Sequence, residues 1–370
     1  MQGKEKKMKI LIGADLVPTA YTEKLYVDGD VKTLFGSVAD VAKGADRFIV
    51  NLECALTDSE NRIKKFGPNL KATPAAVNAI KALGVTDVAL SNNHTFDFGI
   101  EGLRDTVDTL DAAGLPYMGI GENDTDSRKV YYIEGDNKRI GIINVCEHEY
   151  SYAIPGRMGA NPFDPFLTMK DIRDARNHCD VLIVLYHGGK EYCSYPSPRL
   201  VNMAHEMVWC GADVVITQHS HCVGTYEYFE GSHILYGQGN FNFIYPRKEE
   251  SEEGWFSALL VELEITKTLD IRFYPLTMSD TGCDIAKGEE AKQIMGAFMK
   301  RNEEMKDGRW RDGWHAFCTS DKIRNNYVSK IEREFDDDEK RHLFAHFLDC
   351  EAHTDVWREL YPTWNMTNEL

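Results

Sequence analysis

Between residues 9 and about 223 the chain alternates short β-branched apolar runs with longer stretches whose apolar positions recur at helical spacing. Short apolar runs predict buried strands and a 3.6-residue period predicts amphipathic helices, so the alternation reads as an α/β fold. Strands are expected at 9–13, 47–52, 85–90, 139–145, 181–186 and 213–217. Helices are expected at 31–43, 75–83, 99–113 and 200–210, with Gly114 and Gly211 placed to cap the last two. Residues 130–145 read as a hairpin turning at Gly135-Asp136-Asn137. After His221 strands dominate, at 225–229, 234–236, 256–265 and 269–274. From about 285 the pattern becomes helical and rich in charge and aromatics, and it includes the acidic run Asp336-Asp337-Asp338-Glu339. The expected organisation is one domain over 8–284 and a helical appendage over 285–370, anchored by Trp310, Trp314, Phe347, Trp357 and Trp364.

Composition narrows the functional classes. A chain of 370 residues, 43% apolar and 27% charged, can bury the core of an ordinary globular protein. Its 42 Lys plus Arg stand against 59 Asp plus Glu, a net charge of -17. That field repels polyanions and argues against non-specific nucleic-acid binding. An anionic substrate needs a local cationic centre here, which bound metal ions can supply. The nine cysteines are odd in number and contain no CxxC pair, so they read as reduced thiols of a cytoplasmic protein. The basic opening is followed only by Ile10-Leu11-Ile12 before Asp15, too short for a signal peptide or membrane anchor. No other apolar stretch approaches a spanning length, so a soluble protein without a membrane span is expected. Nothing in the sequence specifies an oligomeric state.

Polar residues cluster where the predicted strands end, the place where α/β sheets usually form ligand sites. Five strand ends run into Gly13-Ala14-Asp15, Asn51-Leu52-Glu53, Ser91-Asn92-Asn93-His94-Thr95-Phe96-Asp97, His187-Gly188-Gly189-Lys190-Glu191-Tyr192 and Gln218-His219-Ser220-His221. Imidazole nitrogen and carboxylate oxygen suit one or two divalent ions such as Mn, Zn, Fe or Ni. A carboxylate can bridge two ions, and the spacing of His219 and His221 lets one loop address both.

Taken in order, these pieces resemble the CapA family of capsule-synthesis proteins, the PgsA type of poly-γ-glutamate biosynthesis, a branch of the calcineurin-like metallophosphoesterases. The likeness covers residues 9 to about 243 and includes Gly211-Ala212-Asp213-Val214-Val215 and Leu235-Tyr236-Gly237-Gln238-Gly239-Asn240-Phe241. It implies an α/β/β/α sandwich of two mixed sheets, and the helical appendage beyond about 285, read from its own pattern, lies outside the likeness. It also implies that Asp15 and His221 hold one ion, that Asn93, His187 and His219 hold a second, and that Glu53 bridges them. His94 would then protonate the leaving oxygen, with Asp97 orienting its ring. Two positions depart from the superfamily. Val17 stands where a histidine is usual, and Gln218 stands where glycine usually precedes the first histidine of the pair.

Other polar residues carry blander readings. Glu191, His148 and Arg157 are candidates for contact with substrate, although loop positions of this kind are often solvated. Glu147-His148-Glu149 follows a strand near the same edge. His178 and His205 read as structural, and His342, His346 and His353 read as a packed or solvated helix rather than a metal site. The implied activity is metal-dependent hydrolysis of a phosphate ester, small or saccharide-linked. The alternative is a non-hydrolytic accessory or ligand-binding role in capsule or poly-γ-glutamate assembly.

Overall fold

In a computed structural model of the chain, residues 7–135, 137–248, 252–331 and 338–362 are described. Asp136 of the expected hairpin turn, Asp336, Asp337 and Trp364 lie outside the described residues.

Two mixed sheets pack face to face. The first runs Cys283–Ile285, Leu269–Met278, Ser257–Ile265, Met8–Val17, Arg47–Leu52, Asp87–Ala89 and Tyr117–Met118, with Asn240–Phe243 pairing the end of Met8–Val17. The second runs Val223–Phe229, Ser232–Gln238, Val214–Gln218, Val181–His187, Lys138–Cys146 and Tyr131–Gly135. Ile10, Ile12, Ile49, Ile183, Leu185, Val214 and Ile216 fill the layer between the sheets. Leu34, Phe35, Ile80 and Leu110 cover the outer face of the first sheet, and Ile172, Leu200, Ala204 and Met207 cover that of the second. The molecule is therefore the expected α/β/β/α sandwich.

Strand parity carries the functional side chains to one edge of the inner layer. Side chains alternate along a strand, so His187 continues the inward series of Ile183 and Leu185, while Leu182, Val184 and Tyr186 face the helices. Asn51 likewise follows Ile49, and Gln218 follows Ile216. The first strand is longer than 9–13 because a bulge between Ile12 and Asp15 lets it continue to Val17 and pair with Asn240–Phe243. That bulge turns Ala14 and Leu16 to the helix side and Asp15 inward.

One expected helix is broken. Residues 31–43 form Val31–Phe35 and Val38–Ala42, separated at Gly36, whose φ of 46° and ψ of -129° no helix accommodates. The Asp284 carboxylate occupies the space a Cβ at Gly36 would need, and it accepts from the Ser37 backbone at 2.9 Å. The hairpin and the Gly99–Ala113 helix form where the pattern puts them, with Gly114 capping the latter in the left-handed region.

Beyond the last strand come helices Gly288–Asp307, Trp310–Thr319, Asp321–Ile331, Asp338–Asp349 and Glu351–Leu360. Phe298 packs on Tyr226 and Phe273, and Trp310 joins the core under the second sheet. Trp314, Tyr327, Phe347 and Val356 build a further cluster around Cys193, with Trp357 against it. No helix among the described residues is long and apolar enough to cross a membrane. All nine cysteines are free.

Candidate functional site

Asp15, Glu53, Asn93, His187, His219 and His221 meet at the strand ends, every one of them buried. His187 Nδ1 lies 3.1 Å from Asn51 Nδ2, which leaves Nε2 facing Asn93 Oδ1 at 2.9 Å and Glu53 Oε1 at 3.4 Å. Asn51 Nδ2 also reaches Asp15 Oδ1 at 2.8 Å, and its own oxygen accepts from Asn92 Nδ2 at 3.0 Å. On the other side, His221 Nδ1 stands 2.9 Å from Asn240 Oδ1 and 3.4 Å from Asp15 Oδ2.

His219 and His221 both adopt left-handed backbone, φ 84° and 54°. Such a conformation costs about 1–3 kcal/mol per residue and concentrates at functional sites. Here it turns both rings of the His219-Ser220-His221 loop into one cluster, with centroids 5.8 Å apart and His219 4.8 Å from His187. The His219 backbone N–H is fixed on Asp15 Oδ2 at 3.2 Å.

Three donor sets result, each with ligand atoms within 4.8 Å of one another: Glu53 with His187 and His219, Asp15 with Glu53 and His221, and Glu191 with His219 and His221. Glu53 belongs to two of them. Both of its carboxylate oxygens are buried without a hydrogen-bond partner in the described structure, as is Nδ1 of His219. A buried carboxylate in that condition is expensive, and a cation among these nitrogen and oxygen donors is the partner it fits. Electrostatics point the same way. Burial alone would lower the His221 pKa, but Glu53 and Asp15 outweigh it and push it up to about 10. Burial, then His187 and His221, hold His219 well below its ordinary value. Burial would raise Asp15, yet its hydrogen bond to His221 and the charge of His187 keep it low. The protein thus pulls a proton onto His221 to balance the carboxylates, a duty a divalent ion can take over.

Val17, at the departed position, is buried in the apolar core and offers no ligand. Glu191 stands nearby instead, with Oε1 4.0 Å from His221 Nε2.

His94 sits on the loop after the Asp87–Ala89 strand. Its Nδ1 lies 2.6 Å from Asp97 Oδ2, and the other Asp97 oxygen pairs with Lys65 Nζ at 2.6 Å. Lys65 is itself buried, 3.1 Å from His94 Nδ1 and 3.3 Å from the Asn93 carbonyl. Burial would raise the Asp97 pKa, but His94 and Lys65 hold it below the ordinary carboxylate range. A cavity of about 430 Å³ opens between His94, Glu191 and His221.

Two sequence candidates are engaged elsewhere. His148 turns to the C-terminal helices, its Nδ1 2.7 Å from Glu351 Oε1 and its backbone N–H 2.9 Å from Oε2. Arg157 gives Nη2 to the Tyr152 carbonyl at 2.6 Å and lies over the Phe96 ring. The site residue of that segment is the neighbour Glu149, whose Oε2 is 3.4 Å from His219 Nε2. Burial and Glu191 push Glu149 up to about 7. Lys65 was also missed, because a Lys-Lys pair in a polar loop reads as solvated, whereas Asn51 and Asn240 were visible within the motifs Asn51-Leu52-Glu53 and Gly239-Asn240.

Residues 9–245 match the family described as the bacterial capsule synthesis protein PGA_cap. A capsule biosynthesis protein CapA of Bacillus anthracis is 26% identical over 288 residues, covering 75% of this chain and 66% of its own. A PGA biosynthesis protein CapA of Bacillus subtilis is 26% identical over 267 residues, covering 70% and 68%. A probable polyglutamine synthesis accessory protein of Mycobacterium tuberculosis is 28% identical over 209 residues, covering 53% and 55%. The chain thus spans just under two thirds of the Bacillus anthracis relative and little more than half of the mycobacterial one.

Proposed function

This chain belongs to the bacterial capsule synthesis protein family PGA_cap, and from that premise we propose that it is a metal-dependent hydrolase of phosphate esters serving capsule or poly-γ-glutamate-type polymer synthesis. The observation that carries the reading is Glu53, a buried carboxylate without a hydrogen bond that is shared by two donor sets. Asp15, Glu53 and His221 would hold one ion, with Glu191 in reach where Val17 offers nothing. Glu53, Asn93, His187 and His219 would hold a second. The donor types suit Mn, Zn, Fe or Ni. When bound, such ions polarise a phosphoryl oxygen and supply a water of lowered pKa.

The chain's own residues do the rest. Asn51 and Asn240 orient His187 and His221, the supporting role that outer groups play around metal ligands. His94 Nδ1 is committed to Asp97, so Nε2 is the atom that delivers a proton to the leaving oxygen. Lys65 keeps Asp97 ionised in its buried place, and Asp97 in turn fixes the orientation of the His94 ring.

Val17 favours a second reading, in which the site holds a ligand without hydrolysing it and the protein is an accessory of polymer assembly. The deciding experiment strips the purified protein with a chelator, then reloads it with Mn or Zn. Turnover of p-nitrophenyl phosphate or its bis-ester should vanish and return. Metal binding without turnover of either ester would favour the accessory role, and neither binding nor turnover would overturn both.

A further inference from the structure

The cavity beside the donor cluster is walled by rings. Tyr192, Phe243, Tyr245, Trp255 and Phe256 line it, and it shares His94, Glu191 and His221 with the site. Trp255 is the hub. Its centroid lies 4.7 Å from that of His221, 4.8 Å from Phe243, 6.0 Å from Tyr245 and 6.3 Å from Tyr192. Tyr245 passes the line to Tyr21, 6.0 Å away and 58% exposed. The indole N–H of Trp255 is already committed to the Phe243 carbonyl at 2.9 Å, so what the ring offers an occupant is its apolar face. Because the cavity begins at His94 and His221, its occupant is whatever is attached to a group held at the donor cluster.

The polar groups at the edge define that occupant further. Glu191 and Glu252 both line the cavity, Glu191 beside Lys190 and His221, Glu252 paired with Lys322. Two carboxylates repel an acidic polymer segment but accept hydrogen bonds from hydroxyls. The phenols of Tyr192 and Tyr245 line the same cavity and can donate as well as accept. A purely apolar ring would strip water from these groups and return no hydrogen bonds. A sugar ring differs on both counts, with a C–H face on one side and hydroxyls around its rim.

We propose that this cavity is a subsite for the saccharide ring of the ester's alcohol part, with its C–H face on Trp255 and its hydroxyls meeting Glu191, Glu252, Tyr192 and Tyr245. The inference rests on the phosphoester reading of the donor cluster and names its substrate class.

Three phosphonates test it, because they carry the anionic head without a hydrolysable ester and so report binding alone. They are a C-glucosyl methylphosphonate, benzylphosphonate and propylphosphonate, measured by calorimetry on manganese-loaded protein. The glucosyl compound should bind about tenfold more tightly than the propyl one, the scale of one good ring contact. That ratio should fall several-fold in both Trp255→Ala and Tyr245→Ala. The second variant lies at the outer part of the cavity and guards against disturbance of His221 in the first. Equal affinity for all three, a benzyl compound that binds more tightly than the glucosyl one, a ratio unchanged in both variants, or no binding at all would overturn the subsite. A sugar preference in a protein that hydrolyses no phosphate ester would sustain the subsite while defeating the hydrolase reading. Hydrolysis with no ring preference would do the reverse.

Discussion

His346 Nε2 lies 3.5 Å from Glu149 Oε1, and the other oxygen of Glu149 lies 3.4 Å from His219 Nε2. The Asp338–Asp349 helix therefore reaches the donor cluster through the Glu149 carboxylate. The contact is tightly built. Tyr150 stacks on His346 at 5.0 Å, His353 Nε2 approaches His346 Nε2 at 3.0 Å, and Tyr327 meets the far side of His353 at 2.5 Å. Groups that support metal ligands typically contribute about 10–100-fold to affinity or activity. His346→Ala should fall in that range for turnover while the folded core survives. Unchanged turnover would reduce these helices to scaffolding.

Acid should loosen the same helices. Burial holds His346 down at about 4 and His353 well below its ordinary value. Unfolded histidines titrate near ~6.5. Between these values the unfolded chain binds protons that the folded chain refuses, so stability falls as pH drops from about 6.5 toward 4, by at most ~1.4 kcal/mol per pH unit per ring. Above pH 7 both rings are neutral in either state and contribute no pH dependence. Protection factors for hydrogen exchange in residues 338–360, which remove the pH dependence of intrinsic exchange, should fall from pH 7 to pH 5, and a His346→Gln, His353→Gln double variant should lose most of that response. An identical fall in the variant would contradict the assignment.

Glu53→Gln separates stability from function. It replaces a buried charge that lacks a hydrogen bond by a neutral isostere, so the metal-free variant should melt at or above the wild-type temperature. Adding manganese should raise the melting temperature of the wild type only, since ligand linkage stabilises by RT ln(1 + [L]/Kd). Equal metal-induced shifts in both proteins would show that Glu53 is no ligand.

His94→Ala should keep its metal content yet lose rate on esters with basic leaving groups, by about 10²–10⁴-fold. The loss should be smaller for an aryl ester, whose phenolate needs no proton. Lys65→Met should cost stability too, about 3–5 kcal/mol, because it strands the buried Asp97. Equal loss on both ester types in His94→Ala would make His94 a scaffold residue.

Much of this was legible in the sequence wherever a local rule decided the outcome. The run Val181–His187 shows a buried strand, and parity along it already places His187 with Ile183 and Leu185. The family motifs collected the same six side chains that the structure brings together at the strand ends. The rest depended on contacts between residues distant in the chain. The break at Gly36 follows from Asp284, and the choice of Glu149 over His148 follows from Glu351 claiming His148 across 203 residues. Lys65 reads as solvated until the loop closes over Asp97. The near-helical spacing of His342, His346 and His353 reads as a packed or solvated helix, but the chain turns at Cys350, so His346 and His353 meet from two successive helices, which no pattern of period 3.6 foretells.

The most direct test of the central claim is anomalous diffraction at the manganese edge from crystals soaked in manganese. The account predicts one or two peaks among the carboxylate of Glu53, the rings of His187, His219 and His221 and the carboxylate of Asp15. No peak there, or a peak only at a site that excludes Glu53, would contradict it.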